Sequence, residues 1–335
     1  MNININAFCK SILSERAYRN RPIILCEGQI TGSLVDKNSK QHGQQRRYTR
    51  SPSTAKEQDS DFYKKCCPRW WQTSGTIKLP EFINAGSRSQ VLRAFFELLE
   101  LHNQSPNDSY LNPDRLFALV DLDIQNQSLP VHPEGFSYNT FENIEEIFKS
   151  LYSQGRFQGL ANYMSHILVT GLIHKEAYFL LPQLQDLLTL YDVQYSNAAI
   201  DLYKLYPEIA EGLEDDKDLK KNLIHISHRL NDCCNLDCSN LSQLKQSWLR
   251  AYHDDPQDHQ SLVTLLFMIK KIKPYWEKVH SALGYDPSKF QDQICDMIAQ
   301  FYRNRYRNKD EVQGEVPADH IPCLFRTIYR IAYEP

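Results

Sequence analysis

Leu116-Phe117-Ala118-Leu119-Val120 is an unbroken apolar run of strand length that stops abruptly at Asp121-Leu122-Asp123. A strand with one wet face alternates apolar and polar residues. One that is apolar throughout must be covered on both sides, as in a mostly parallel sheet flanked by helices. Ile23-Ile24-Leu25-Cys26, ending in Glu27-Gly28, and residues 166–172 (His-Ile-Leu-Val-Thr-Gly-Leu) read the same way. A further strand is predicted over 76–83, where Pro80 requires an edge or a bulge. Helical stripes lie between the strands. Val91, Leu92, Phe95, Leu98 and Leu99 form one, and Phe141, Ile144, Ile147, Phe148 and Leu151 a second, N-capped by Asn139 or Thr140.

Beyond Pro182 the pattern turns helical, with stripes over 183–191, 198–213, 241–252, 261–284 and 290–306. The chain has 335 residues, enough for two ordinary domains. It reads as an α/β domain over 20–185 and an all-α domain over 186–335. With 41% hydrophobic and 24% charged residues, wholesale disorder is excluded. The longest strongly apolar run, 262–269, is far short of the ~20 residues that cross a bilayer. Residues 1–13 lack the charge and apolar core of a signal peptide, so the expectation is a cytoplasmic protein without a membrane partner. Nine cysteines, an odd number in a long chain, do not suggest a disulfide framework. Cys26 and Cys323 read as small buried hydrophobes. Cys233, Cys234 and Cys238, downstream of His225 and His228, lack a usual zinc spacing and read as unpaired cysteines on a helical segment.

A formal net charge of −3 excludes a uniformly basic surface but not a local basic groove. The segment 31–75 has no periodic apolar pattern and reads as an insertion. From Lys37 to Arg69 it carries nine basic residues, among them Arg46, Arg47, Arg50, Lys64 and Lys65, against the acids Glu57, Asp59 and Asp61. Tyr48, Phe62, Tyr63, Trp70 and Trp71 lie among or beside them. Cations next to aromatics suit a phosphate backbone with stacked bases, and a solvated basic loop is the alternative. Arg303, Arg305, Arg307 and Lys309, with Tyr302 and Tyr306, form a second stretch that reads as a nucleic-acid path or an exposed helix end.

The acids at the strand ends carry the chemistry. Side chains two apart on an extended chain share a face, so Asp121 and Asp123 converge at the carboxyl end of their strand, the edge where open α/β sheets bind ligands. Two close carboxylates repel unless a divalent cation lies between them, and two or three such oxygens suffice for magnesium. Glu27-Gly28 adds a third acid at another strand end.

An apolar strand ending in Glu-Gly (23–28), followed later by one ending in Asp-x-Asp (116–123), resembles the signature of the TOPRIM (topoisomerase–primase) domain family. The likeness is greatest to overcoming-lysogenization-defect-type nucleases and to TOPRIM-like bacterial proteins, and it covers about residues 22–182. The resemblance implies that Glu27, Asp121 and Asp123 bind Mg2+ or Mn2+ and support phosphodiester cleavage or transfer on nucleic acid. It also implies a further acid near the next strand, for which Glu176 is the candidate, beside His174 and Lys175; with a metal bound, the charge of Lys175 would steady the phosphate. No Gly-x-x-x-x-Gly-Lys-Ser motif is present, so ATP coupling would require a partner chain.

Other readings compete. A manganese glycosyltransferase also uses Asp-x-Asp, but leaves Glu27-Gly28 and the basic insertion unexplained. A haloacid-dehalogenase phosphatase needs Thr where Gln125 stands. A non-enzymatic interaction protein on a degenerate TOPRIM scaffold would use the helical half to bind a protein partner, although its aromatics at helical spacing (Tyr191, Tyr195, Tyr203, Tyr206, Trp248, Tyr252, Tyr302 and Tyr306) read as core more than as interface.

Overall fold

A computed structural model describes residues 4–30, 59–73, 75, 77–122, 152–153, 156–157, 166–195, 200–231, 236–283, 293–312, 314 and 316–334. The apolar runs are the strands of one parallel sheet: β1 (Ile23–Cys26), β2 (Glu81–Asn84), β3 (Leu116–Val120) and, after a two-residue ladder of β4 (Tyr152–Ser153) with β5 (Arg156–Phe157), β6 (Ile167–Val169). Their spatial order is β2-β1-β3-β6. All residues of β1 and β3 are buried, which is why neither alternates. β2 begins only at Glu81. Pro80 has no N–H to give a ladder, so it precedes the strand instead of interrupting it, and β2 is an edge strand.

Helix α1 (Ile5–Leu13) is capped by Asn4, whose side chain accepts the Ala7 N–H. It packs on the long helix α4 (Arg88–Gln104), which lies on β1 and β3. The stripe Val91, Leu92, Phe95, Leu98 and Leu99 is the buried face of α4, as its spacing predicts.

The reading of 31–75 as unpatterned is corrected over 59–72. Here lie α2 (Asp59–Cys66) and the single turn α3 (Arg69–Gln72). Phe62, Tyr63 and Trp71 are buried instead of offered to a ligand. Phe62 packs edge-on against Phe179 and Tyr63 stacks on Phe82. Helices this short give too few turns for a periodicity to show.

The helical region comprises α5 (Gln185–Tyr195), α6 (Leu202–Glu211), α7 (Lys217–Lys221), α8 (Leu223–Asn231), α9 (Leu241–Asp254), α10 (His259–Ile269), α11 (Lys273–Ala282), α12 (Gln293–Arg303) and α13 (His320–Tyr333). The stripe over 261–284 is two helices, because Pro274 in the first turn of α11 cannot continue a preceding helix. Tyr206, Trp248, Tyr252 and Tyr302 are core residues, while Tyr203 remains exposed. Helix α12 packs on α2, and the buried faces of the helices join the sheet's core in one continuous apolar cluster. Among the described residues no helix is long and apolar enough to cross a membrane. The Phe141–Leu151 stripe, Cys233 and Cys234 lie outside the described residues, and Cys238 is half-buried in the segment before α9.

Candidate active site

The strand order makes β1 and β3 neighbours, paired from Ile23 with Leu116 to Cys26 with Leu119. β3 runs one residue past β1, so Glu27, the residue after β1, lies opposite Val120 and next to Asp121. Glu27 Oε1 accepts the backbone N–H of Asp121 at 3.0 Å. Both residues are half-buried. Asp123 lies outside the described residues.

The turn after β1 is locked to the turn after β2. Gly28 and Gly86 exchange two backbone hydrogen bonds of 2.9 Å each. Gly28 has φ +133°, and a Cβ there would fall 2.7 Å from Asn84 Oδ1. That oxygen accepts the Ser60 N–H at the start of α2, so the glycine leaves room for the contact that seats the helix. Gly28→Ala is expected to cost about 1–3 kcal/mol through backbone strain and displacement of Asn84. Chemical denaturation measures it, and an unchanged midpoint would mean the turn tolerates a side chain.

Helix α2 brings charge that the sequence reading counted only as part of a basic insertion. Asp59 pairs with Lys175 at 2.8 Å, and the Lys175 side chain is 5% exposed. Burial pushes the Cys26 thiol well up; Asp59, Asp121 and Asp61 push the same way and Lys175 opposes them, which places all four charges around the end of β1. Burial likewise raises the Tyr63 hydroxyl, with Asp121 and Asp59 adding to it. The Tyr63 hydroxyl is buried with no hydrogen-bond partner among the described residues. An acidic first turn followed by Phe62, Tyr63 and Cys66 was the available sequence signal for α2.

His174, Lys175 and Glu176 follow β6, at the start of a 3-10 segment (Lys175–Phe179). His174 Nε2 accepts the Ile272 N–H at 3.0 Å, which leaves the proton of the neutral ring on Nδ1, 3.0 Å from Glu176 Oε2. Burial disfavours the Glu176 carboxylate, but His174, Lys175 and Lys273 together hold its pKa well below the usual range. Of the three residues, Lys175 is drawn to the acidic edge, while His174 and Glu176 face the start of α11.

Arg46, Arg47 and Arg50 lie outside the described residues. Lys64 pairs with Glu81 at 2.8 Å and Lys65 with Asp296 at 2.5 Å. Arg303 donates to Gln72, Arg305 pairs with Asp319, and Lys309 pairs with Glu334. These cations fasten elements of the fold to one another.

Among the described residues no group of three His, Cys, Asp or Glu is arranged to hold a metal ion. Glu27 and Asp121 supply two hard carboxylate donors, and the buried Tyr63 hydroxyl lies within range of the Asp121 charge; such oxygens suit Mg2+ or Mn2+, cations that keep part of their water shell. No family model, curated protein or solved structure matches the chain.

Proposed function

We propose that the chain is a divalent-metal-dependent phosphodiester-processing enzyme acting on nucleic acid, built on a TOPRIM-like α/β scaffold. One observation carries the reading: the acids that end the first and third strands stand on adjacent parallel strands, with the Glu27 carboxylate on the Asp121 amide. One Glu27 oxygen holds the Asp121 amide, which keeps two acids together at the ligand-binding edge of a parallel sheet, where a divalent cation would offset the repulsion between their carboxylates.

In this reading Glu27, Asp121 and Asp123 hold the cation, which when bound supplies a more acidic water and offsets charge on the phosphate oxygens. Lys175, paired with Asp59, contributes positive potential to the same edge. Glu176 orients the Lys175 segment through His174 and Lys273. Gly28 keeps the Glu27 turn close to β2. Arg46, Arg47 and Arg50 are the proposed contacts to the nucleic-acid backbone, whereas Lys64 and Lys65 are engaged by Glu81 and Asp296.

The test incubates the full chain with supercoiled plasmid, single-stranded DNA and RNA in Mg2+ or Mn2+, beside an Asp121→Ala/Asp123→Ala variant of unchanged melting temperature. Cleavage by the wild type and a loss of at least about 100-fold in the variant is expected, the scale of removing charge stabilisation from a transition state. Equal cleavage by both proteins would refute the reading. A nucleotide sugar in the same buffers covers the glycosyltransferase alternative. Inactivity on every substrate would shift the reading to an interaction protein on this scaffold.

A further inference from the structure

The acidic turn is gripped from both sides, by the residue that follows β6 and by an arginine of the helical region. The Leu122 N–H donates to Thr170 Oγ1 at 3.0 Å, and that hydroxyl in turn donates to the Leu172 carbonyl at 2.7 Å. On the other side, Arg229 Nη1 of helix α8 donates to the Leu122 carbonyl at 3.1 Å and to the Met268 carbonyl, near the end of α10, at 2.8 Å. Arg229 is 2% exposed and Thr170 4%.

A buried guanidinium is costly to desolvate, and an apolar side chain would fill the space with less loss. What Arg229 adds is direction. Its planar donors fix the carbonyl of the residue that follows Asp121 and tie it to the helical region. The peptide planes on either side of Leu122 set where the Asp121 Cβ points, so fixing its N–H and its C=O fixes the turn that presents the acid.

We propose that Arg229 and Thr170 are positioning residues for the acidic edge, and that the helical region thereby sets the geometry of the metal-binding carboxylates. The proposal rests on the metal reading above. Groups that orient metal ligands without touching the metal commonly alter affinity about 10–100-fold.

The experiment uses the full chain in four forms: wild type, Arg229→Met, Arg229→Lys and Thr170→Val. Mn2+ affinity is measured by calorimetry, and amide hydrogen exchange is followed over 116–122. Arg229→Met and Thr170→Val are expected to weaken Mn2+ binding about 10-fold or more and to speed exchange at Leu122. Arg229→Lys, which keeps one charged donor group, should recover part of both effects. Thr170→Val is nearly isosteric, so it decides the matter if Arg229→Met fails to fold. Wild-type affinity and exchange in the folded variants would overturn the proposal. If the wild type binds no Mn2+, the metal reading fails. Exchange then decides the anchoring alone: acceleration in the variants upholds it, and no change refutes it.

Discussion

Truncating Trp71 to alanine is expected to destabilise the protein by about 3–5 kcal/mol, the range for removing a fully buried large aromatic. Trp71 is inaccessible to solvent and lies edge-on to Phe325, Tyr329 and Tyr333 of α13, with ring centroids 6.1, 5.2 and 6.2 Å away. Its indole N–H donates to the Lys78 carbonyl at 3.3 Å. Each aromatic pair adds roughly 0.5–1.5 kcal/mol beyond the area it buries, so the upper half of the range is the more reasonable target. Trp70, stacked on Trp71 but half-buried, is the control, and its truncation should cost less. The midpoint of urea denaturation, with an unchanged slope, is the measurement. A solvated basic loop around residue 70 makes the opposite forecast, a change within about 0.5 kcal/mol for either tryptophan.

That contrast marks where the sequence stops being legible. β1 and β3 were readable because a strand buried on both faces can carry only apolar residues, and Glu27 and Asp121 were readable because each ends such a strand. Their adjacency was not, since strand order is a property of the whole sheet. Helix α2 buries Phe62, Tyr63 and Cys66 within two turns, too few to outweigh the lysines and aspartates around them. Asp59 therefore read as one acid in a basic run, whereas its role depends on Lys175, far along the chain. Arg229 was invisible for the same reason. A lone arginine carries no such signal in the sequence, and only the tertiary fold brings it the carbonyls of Leu122 and of Met268 in α10. Aromatics and cations side by side were an ambiguous signal, because snorkelling lysines on a buried aromatic face produce the same local composition as a nucleic-acid groove.

The stability of the protein is expected to fall steeply as pH drops below 6.5, with one residue responsible for a separable share. His320, at the start of α13, is 4% exposed, and burial lowers its pKa from 6.5 to about 3. Its Nδ1 lies 3.3 Å from the Tyr178 hydroxyl, which already accepts the Gly171 N–H and so is left to donate its proton to the ring. Neighbouring Asp319 is committed to Arg305 at 2.5 Å and does not favour an imidazolium. The unfolded chain takes up a proton near pH 6.5 and the folded chain only near pH 3. The contribution is therefore fully present above 6.5 and is lost as pH falls towards 3. At about 1.4 kcal/mol per pH unit, roughly 2 kcal/mol should be gone by pH 5. Glu176, whose carboxyl pKa is depressed, loses its contribution only as pH falls below 4.5, so the interval from pH 6.5 to 5 reports on the histidines. Burial also lowers the pKa values of His102 and His166, which add slope of the same sign in both proteins compared. His320→Phe should therefore flatten the curve of unfolding free energy against pH by about 2 kcal/mol over that interval, whatever its effect at neutral pH. Parallel curves for the two proteins would show that the ring is reached by water or by a compensating charge. The packing argues against this: a Cβ on Gly171 would overlap the His320 ring at its Nδ1.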